Sequence, residues 1–396
     1  MNFARAAQRI KSIQNFLTRQ TVPRIPVPAI AAGQSRFVTM ASTTDTKNYK
    51  FNHSMIRVKD PKASGMSDTL MSTALIIKPH LKLKLNKLTT CANIDSNAAK
   101  FYEFLGMSLV KKLEFPDSKF DLYFFGYDSP NALSHNKSTF DRQGLIELTH
   151  NYGTEDDPEY KVNNGNQEPN RGFGHTCIAV DNIQAACKRI EDAGYKFQKK
   201  LTDGRMRNIA FVLDPDGYWV EVVARNDYKQ TEDVKETDVS TYTMNHTMLR
   251  VKDAEKSLKY YQEVLGMSRL RTLENPEAGF NLYFLGYPGD QPFPEGQDEN
   301  TITHREGLLE LTWNYGTEKD ENFHYHDGNS QPQGFGHICV SVDNIDAACK
   351  RFEDLNVSWK KRLTDGRMKN VAFLLDPDGY WIELVQNEKF SGKENF

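Results

Sequence analysis

Short runs that alternate apolar and polar residues recur along the chain, and the second half repeats the first half in the same order. The run FNHSMIRVKD at 51–60 returns as MNHTMLRVKD at 244–253, and residues 174–223 return at 336–385. Alternation with a period of two predicts β-strands that are buried on one face. A repeat of this length predicts that one structural unit has been duplicated.

Each half predicts the same series of elements. In the second half, the strand MNHTMLRVKD is followed by a helical stretch that ends at Gly266, and then by two further strands. Next come the strand GHICVSV, a helix whose N-cap is either Asp343 or Asn344, and a hairpin. A strand, a helix and a short antiparallel meander therefore occur four times, which predicts an α+β fold.

The repeat sets the predicted domain boundaries. One lobe covers 50–225, a polar linker covers 226–243, and the other lobe covers 244–390. The first lobe carries an insertion at about 65–98 that has no counterpart in the second. One hypothesis for the insertion is a retained intron; the alternative is a surface loop, which costs little free energy but is long for a connection without its own structure.

The N-terminal segment, 1–49, differs from the rest in composition. It contains basic residues but no acidic residue before Asp45, and MNFARAAQRIKSIQNFL can form an amphipathic helix. This composition is typical of a mitochondrial transit peptide, and the alternative is a disordered tail on a cytoplasmic protein. The expected location is therefore mitochondrial, cytoplasmic or both.

Composition excludes several classes of partner. The chain has 396 residues, of which 38% are hydrophobic and 26% charged, with a net charge of −3. Neither a nucleic acid nor a membrane is expected as a partner. None of the five cysteines has zinc-finger spacing, so Cys177, Cys187, Cys339 and Cys349 are interpreted as small buried core residues.

Candidate metal ligands stand inside the predicted strands. A single buried His or Glu in a strand is most commonly a hydrogen-bonded core residue. Here two His and two Glu recur in each half, and the spacing from His175 to Glu221 equals that from His337 to Glu383. Two imidazoles and two carboxylates suit Zn²⁺, Ni²⁺, Co²⁺ or Fe²⁺. The full set is His53, Glu147, His175, Glu221, His246, Glu310, His337 and Glu383.

Most of these candidates have a polar companion four positions away, which an extended strand places on the same face. The companions are Arg57, Asn151, Arg171, Arg250, Asn314 and Gln333. The repeated turn LTDGRM follows Lys199 and Lys361 and could hold a carboxylate, although an ordinary hairpin loop explains it equally well. The turn DPDGYW is given a structural role, because it leads directly into the strands of Glu221 and Glu383.

Several motifs together resemble one enzyme family. HSMIRVKD, LIELTHNYGTE, NGNQEPNRGFGH and DPDGYWVE are similar to the lactoylglutathione lyases (glyoxalase I), in the tandem two-lobe form found in fungi and within the vicinal oxygen chelate superfamily. The resemblance implies four βαβββ modules in two lobes. It also implies isomerisation of the methylglyoxal–glutathione hemithioacetal to S-lactoylglutathione, by proton transfer through an enediolate.

The same resemblance implies two metal sites, each shared between the lobes. Site 1 would consist of His246, Glu310, His175 and Glu221, and site 2 of His53, Glu147, His337 and Glu383. Each would hold one Zn²⁺, with Ni²⁺ or Co²⁺ as alternatives, and Glu221 and Glu383 would be the catalytic bases. The implied glutathione-binding residues are Arg250, Asn314, Arg171, Lys199, Gly204 and Met206 in site 1, and Arg57, Asn151, Lys361, Gly366 and Met368 in site 2.

Site 2 departs from the family pattern. Gln333 replaces an expected Arg, and the insertion follows the His53 strand, so Glu221→Gln is expected to cost more activity than Glu383→Gln. A ring-cleaving dioxygenase that uses Fe²⁺ and a module that binds a small molecule are the alternative functions. A monomer is expected, because the duplication supplies internally what a symmetric dimer would supply.

Overall fold

The structure is a computed structural model, and the residues that it describes are 43–61, 98–204, 206–231, 233–289 and 299–396. Nearly all of the predicted insertion, and the N-terminal segment up to residue 42, lie outside this part of the chain. Within the described residues, no helix has the length and apolar character needed to span a membrane.

The elements follow the order that the repeat predicts. The strands are β1 (Lys50–Val58), β2 (Ser108–Phe115), β3 (Phe120–Gly126), β4 (Leu145–Asn151), β5 (Phe173–Val180), β6 (Phe197–Lys199), β7 (Ile209–Leu213), β8 (Trp219–Ala224), β9 (Thr243–Val251), β10 (Ser268–Asn275), β11 (Phe280–Gly286), β12 (Leu308–Asn314), β13 (Phe335–Val342), β14 (Trp359–Lys361), β15 (Val371–Leu375) and β16 (Trp381–Gln386). The α-helices are α1 (Ala98–Phe104), α2 (Ile183–Asp192), α3 (Ala254–Lys259), α4 (Ile345–Asp354) and α5 (Glu388–Ser391). The helix α3 continues as a π-helical turn (Tyr260–Val264), and the 3₁₀ turns are Thr46–Asn48, Pro116–Ser118, Thr139–Asp141, Val239–Thr241, Glu299–His304 and Thr317–Lys319.

Both sheets combine strands of the two lobes. One eight-stranded sheet has the order β14-β15-β16-β13-β1-β4-β3-β2, and the other has the order β10-β11-β12-β9-β5-β8-β7-β6. The seams between the lobes are the antiparallel pairs β1–β13 and β5–β9. The predicted α+β fold with tandem modules is confirmed.

The central strands are buried more completely than their alternation predicts. All eight residues of β5 and of β13 and all nine of β9 are buried, because these strands are covered on both faces and not on one. The N-cap of α4 is Asn344, whose side chain accepts a hydrogen bond from the Ala347 amide. The carboxylate of Asp343 instead binds the N-terminal end of the described chain, through the Thr44 hydroxyl and the Asp45 amide.

A row of four buried rings connects the two sheets. Phe173 of β5 stacks on Phe335 of β13, with ring centroids 4.9 Å apart. Tyr218 lies edge-on to Phe173, and Tyr380 lies edge-on to Phe335. All four rings are at most 1% exposed, so the lobes share one apolar core at this point.

Candidate metal centres

The residues of site 1 lie on four neighbouring strands at the centre of one sheet. His175 and Glu221 come from β5 and β8, and His246 and Glu310 come from β9 and β12. All four residues are buried, and their ligand atoms lie within 4.8 Å of one another. Site 1 therefore takes two side chains from each lobe.

Distances within site 1 are short. The two imidazole Nε2 atoms, of His175 and His246, are 3.3 Å apart. His246 Nε2 lies 3.2 Å from Glu221 Oε2 and 3.0 Å from Glu310 Oε2. The same carboxylate oxygens lie 3.5 and 3.9 Å from His175 Nε2.

Site 2 repeats this arrangement in the other sheet. His53 Nε2 lies 3.3 Å from His337 Nε2, 3.0 Å from Glu147 Oε2 and 3.3 Å from Glu383 Oε2. His337 Nε2 lies 3.9 and 3.5 Å from the same two carboxylate oxygens. The ligand atoms again lie within 4.8 Å of one another.

These dimensions fit one divalent ion in each site. Nitrogen and oxygen ligands lie about 2.0–2.2 Å from Zn²⁺, which places them about 3–4 Å from each other. The observed separations of 3.0–3.9 Å agree with this geometry. The two buried carboxylates of a site have ligand oxygens within 4.8 Å of each other, and they would repel each other without a cation between them.

The electrostatics keep Glu221 and Glu383 ionised. Burial opposes ionisation of Glu221, but hydrogen bonds from His175 and His246 and the charge of both rings outweigh it, so the pKa of Glu221 lies well below its usual range. The pKa of Glu383 is lowered in the same way by His337 and His53. Binding of a metal ion requires the neutral form of each imidazole, because metal-bound imidazole is neutral.

Phenylalanine rings fix the orientation of the ligand imidazoles. In site 1, Phe284 lies edge-on to His246 with centroids 5.4 Å apart, and Phe211 lies edge-on to His175 at 5.2 Å. Phe124 and Phe373 frame the imidazoles of site 2 at 5.3 and 5.4 Å. Phe284 also stands directly opposite Glu310 on the neighbouring strand, so this ring borders two candidate ligands of site 1.

Two further polar groups that the sequence did not single out touch the ligands. Thr312 donates a hydrogen bond to Glu310 Oε1 at 3.1 Å, and Thr149 donates one to Glu147 Oε1 at 2.9 Å. In each case the Thr stands two positions after the Glu, so strand alternation could have predicted the contact. These bonds orient the carboxylates towards the site.

Cys177 and Cys339 are buried core residues, as interpreted from the sequence, but they also lie beside the candidate ligands, which the sequence analysis did not predict. Cys177 stands opposite His246 on one neighbouring strand and opposite Glu221 on the other. Cys339 has the same relation to His53 and Glu383. Burial raises the pKa of the Cys177 thiol to about 12, so it remains neutral beside the ligands.

Of the predicted glutathione-binding arginines, Arg250 is buried and Arg57 is partly buried, and neither forms an ion pair with a described carboxylate. Arg250 donates from Nη1 to the carbonyls of Gly165 and Phe173, and from Nη2 to Asn166 Oδ1. Burial, followed by the charge of Arg171, lowers the pKa of Arg250. A buried guanidinium with only neutral acceptors around it favours an anionic ligand nearby.

The corresponding groups of site 2 are arranged similarly. Arg57 donates to the carbonyls of Gly334 and Phe335 and to Asn329 Oδ1. Asn151 of site 2 ends β4, and its counterpart in site 1, Asn314, ends β12. The Asn314 side-chain amide donates to the Tyr325 hydroxyl. Each Asn therefore lies at the end of the strand that carries a Glu ligand.

The repeated turns are closed by the lysines that precede them. Lys199 Nζ donates to the carbonyls of Met206 and Ile209 at 2.6 and 2.8 Å, and Lys361 Nζ donates to those of Met368 and Val371. Gly204 and Gly366 have φ values of +65° and +63°, which glycine adopts without strain. Met206 and Met368 are 53% and 39% exposed, so both turns are accessible from solvent.

Arg171 and Gln333 occupy equivalent backbone positions. The carbonyl of Arg171 accepts a hydrogen bond from the His326 amide, and the carbonyl of Gln333 accepts one from the Asn163 amide. The Arg171 side chain forms an exposed ion pair with Glu168 at 3.2 Å. Site 2 therefore has a neutral amide at the position of a cation in site 1.

The DPDG turns join the two modules of each lobe, in agreement with their predicted structural role. Asp214 accepts a hydrogen bond from the Tyr102 hydroxyl, and Asp216 accepts one from the Lys59 amide. In the second lobe, the hydroxyl of Tyr380 donates to the carbonyl of Arg250. Each turn thus connects the strand of a candidate Glu ligand to the strand of Arg57 or Arg250 in the other sheet.

Sequence comparison agrees with this geometry. Residues 86–222 and 243–384 match the model of the glyoxalase/bleomycin resistance protein/dioxygenase superfamily. The chain is 43% identical over 350 residues to a lactoylglutathione lyase of Schizosaccharomyces pombe, which covers 88% of this chain and all of the relative. It is 46% identical over 305 residues to a glyoxalase I of Saccharomyces cerevisiae, which covers 75% of this chain and 90% of the relative.

Comparison of structures gives the same result. A crystal structure of a glyoxalase I variant from Zea mays superposes with a TM-score of 0.57 and 25% sequence identity. The superposition covers 87% of this chain and 94% of the maize chain.

Proposed function

The chain belongs to the lactoylglutathione lyases of the glyoxalase/bleomycin resistance protein/dioxygenase superfamily, and from this premise we propose which of its residues bind the metal and carry the reaction. It is a metal-dependent lyase that isomerises the hemithioacetal of methylglyoxal and glutathione to S-lactoylglutathione. The observation that supports the residue assignment is the convergence of two His and two Glu, from both lobes, in each of two buried sites.

The four side chains of each site hold one divalent ion. Zn²⁺ is the proposed ion because imidazole and carboxylate ligands at these separations match its preferences, with Ni²⁺ or Co²⁺ as alternatives. When bound, such an ion polarises adjacent substrate oxygens and makes the neighbouring C–H bond more acidic.

Glu221 and Glu383 act as the bases in the two sites. The neighbouring imidazoles lower the pKa of these carboxylates, which favours the ionised form that accepts a proton. Because each carboxylate is fixed beside the position of the substrate, transfer to it needs little reorganisation. The same group can return the proton to the adjacent carbon, which completes the isomerisation.

The charged groups at the strand ends bind the glutathione part of the substrate. In site 1 the binding residues are Arg250, Asn314, Arg171 and Lys199 with the turn at Gly204 and Met206. In site 2 they are Arg57, Asn151 and Lys361 with the turn at Gly366 and Met368. The guanidiniums of Arg250, which is buried, and of Arg57, which is partly buried, are not neutralised by any described carboxylate, and this supports the assignment.

A ring-cleaving dioxygenase is less compatible with these sites. That chemistry uses two His and one carboxylate and leaves positions open for oxygen. Here a second carboxylate, Glu310 in site 1 and Glu147 in site 2, lies 3.0 Å from an imidazole of the same site.

Chelation followed by restoration of metal tests the assignment. We expect loss of thioester formation from methylglyoxal and glutathione after chelation, and recovery when two equivalents of Zn²⁺ are added per chain. The double variant Glu221→Gln/Glu383→Gln should stay inactive with added Zn²⁺. Activity in that variant, or full activity of the chelated wild-type protein, would refute the roles of these carboxylates.

Oligomeric state and location complete the proposal. A monomer is proposed because each site is completed within one chain, and a mass of twice the monomer by light scattering would contradict it.

We propose mitochondrial import of the chain through the segment 1–49. Since Thr44 and Asp45 bind Asp343, a removable signal should end before Thr44. Microscopy of the tagged full-length protein tests import.

A further inference from the structure

A buried asparagine stands immediately before one histidine ligand of each site. Asn52 precedes His53, and Asn245 precedes His246. Their exposed fractions are 0% and 2%. In both sites the imidazole Nδ1 lies 2.8 Å from the Oδ1 atom of the asparagine.

The other end of each carboxamide is fixed by backbone carbonyls. Asn52 Nδ2 donates to the carbonyls of Thr139 and Arg142, both at 2.9 Å. Asn245 Nδ2 donates to the carbonyls of Ile302 and Arg305 at 2.7 and 2.9 Å. A carbonyl only accepts hydrogen bonds, so the NH₂ group must face it and Oδ1 must face the imidazole.

The position of these asparagines depends on a bulge in each strand. The register of β1 against β13 shifts between Phe51 and His53, and that of β9 against β5 shifts across Asn245. Regular alternation would place neighbouring side chains on opposite faces. An extra residue in the strand changes the direction of a side chain, and here it allows Asn and His to contact each other.

We infer that Asn52 and Asn245 are positioning residues that hold His53 and His246 in the tautomer with the proton on Nδ1. Because Oδ1 can only accept, Nδ1 must donate. When the ion is bound between the two Glu ligands, the lone pair of Nε2 is then directed at the ion. This inference rests on the proposed metal sites. In each site a neutral amide oxygen accepts the imidazole N–H, whereas a carboxylate or a backbone carbonyl accepts it beside many other histidine ligands.

The tautomer can be measured without any activity assay. In Zn²⁺-loaded full-length protein with ¹⁵N-labelled histidine, two-bond ¹⁵N–¹H correlations show whether Nδ1 or Nε2 of each imidazole carries the proton. We expect His53 and His246, assigned from His→Gln variants, to show Nδ1–H. An Nε2–H tautomer or an equal mixture for these two residues would overturn the inference.

Metal affinity provides the second test. Zn²⁺ is titrated against a chromophoric chelator with Asn245→Ala, in which site 2 serves as an internal reference. We expect one equivalent to bind as in the wild-type protein and the other about 10–100-fold more weakly, the usual effect of removing a hydrogen-bond partner of a ligand. The double variant Asn52→Ala/Asn245→Ala should weaken both equivalents.

Two further variants separate positioning from stability. Asn245→Asp keeps an oxygen for Nδ1–H but places a second oxygen against two carbonyls, so it should lower stability while it keeps the Zn²⁺ affinity within about threefold of wild type. Asn281→Ala removes another buried asparagine of the same sheet, whose carboxamide contacts the hydroxyls of Tyr283 and Tyr315. It should lower stability without changing Zn²⁺ affinity.

The outcomes distinguish the inference from the proposed function. If the wild-type protein binds no Zn²⁺, the metal sites themselves are refuted. If it binds two equivalents and Asn245→Ala binds them with unchanged affinities, only the positioning role is refuted. The positioning role would also be refuted if the Zn²⁺ affinity fell in proportion to stability in Asn245→Ala, Asn245→Asp and Asn281→Ala alike.

Discussion

The difference between Arg171 and Gln333 leads to a test by reciprocal exchange. Both residues precede the glycine that leads into a histidine-bearing strand, and their carbonyls make equivalent hydrogen bonds to the opposite lobe. Arg171→Gln should make site 1 resemble site 2, and Gln333→Arg should do the reverse. Each exchange is measured with the other site inactivated, by Glu383→Gln for site 1 and by Glu221→Gln for site 2.

The expected magnitude follows from the exposure of the arginine. The Arg171 side chain is 38% exposed and lies 3.2 Å from Glu168, which is 73% exposed and competes for the guanidinium. Exposed ion pairs contribute about 0.2–1 kcal/mol. A contribution of about 1 kcal/mol corresponds to a change of about fivefold in binding.

Steady-state kinetics of thioester formation provide the assay. We expect Arg171→Gln to raise KM for the hemithioacetal by up to about fivefold, and Gln333→Arg to lower it by a similar factor. The value of kcat should stay constant, because the contact is the same in the ground state and in the transition state. Both effects should shrink as the salt concentration rises.

A matched charge change controls for net charge. Lys188→Gln removes one cation from an exposed ion pair with Asp192 on α2, so KM should not change. The reasoning fails if neither exchange alters KM, if both alter only kcat, or if Lys188→Gln has an equal effect.

Three further predictions concern catalysis and stability. Glu221→Gln should lower total activity more than Glu383→Gln, because site 2 lacks the cation of site 1; equal losses would contradict this ranking. Burial raises the pKa of Glu306 to about 7, so the folded state retains a proton that the unfolded chain loses near pH 4.3. The free energy of unfolding should therefore fall as pH rises from about 4.3 to 7. In urea unfolding, Glu306→Gln should raise the free energy of unfolding by up to about 3 kcal/mol at pH 8 and by little at pH 4.5. An equal increase at both pH values would refute this role of Glu306. Phe173→Ala should cost about 3–5 kcal/mol in a single unfolding transition, since the ring is 1% exposed and stacked between the lobes. The control is Phe115→Ala, which breaks the stack with Phe120, a pair of partly exposed rings on an edge hairpin. It should cost about 1–2 kcal/mol. Similar losses of stability in the two variants would show that the core shared by the lobes is unimportant.

Much of the fold was accessible from the sequence because strands have a period of two. The alternation in HSMIR predicted a strand that directs His53 and Arg57 to one face. The repeat then showed that the same chemistry occurs twice, which made ligands more plausible than isolated core histidines. The order of elements in the described part of the chain follows the predicted order.

The contacts around the ligands were less accessible. Thr312 and Cys177 each stand two positions from a ligand on the same strand, so alternation contained their signal. Asn245 was different, because alternation predicts that it points away from His246. Only the bulge in β9 reverses that expectation, and a bulge depends on pairing with a partner strand.

The sequence by itself determined the duplicated α+β modules and the residues on each strand face that could bind a metal. The pairing of β1 with β13 and of β5 with β9, which completes each site from two lobes, was expected only through the resemblance to a family. The physical reason is that side-chain periodicity is a property of one strand, whereas the neighbours of a strand are decided by packing across the whole chain. The proposed metal centres, and the asparagines proposed to orient their imidazoles, therefore lie where the two lobes meet.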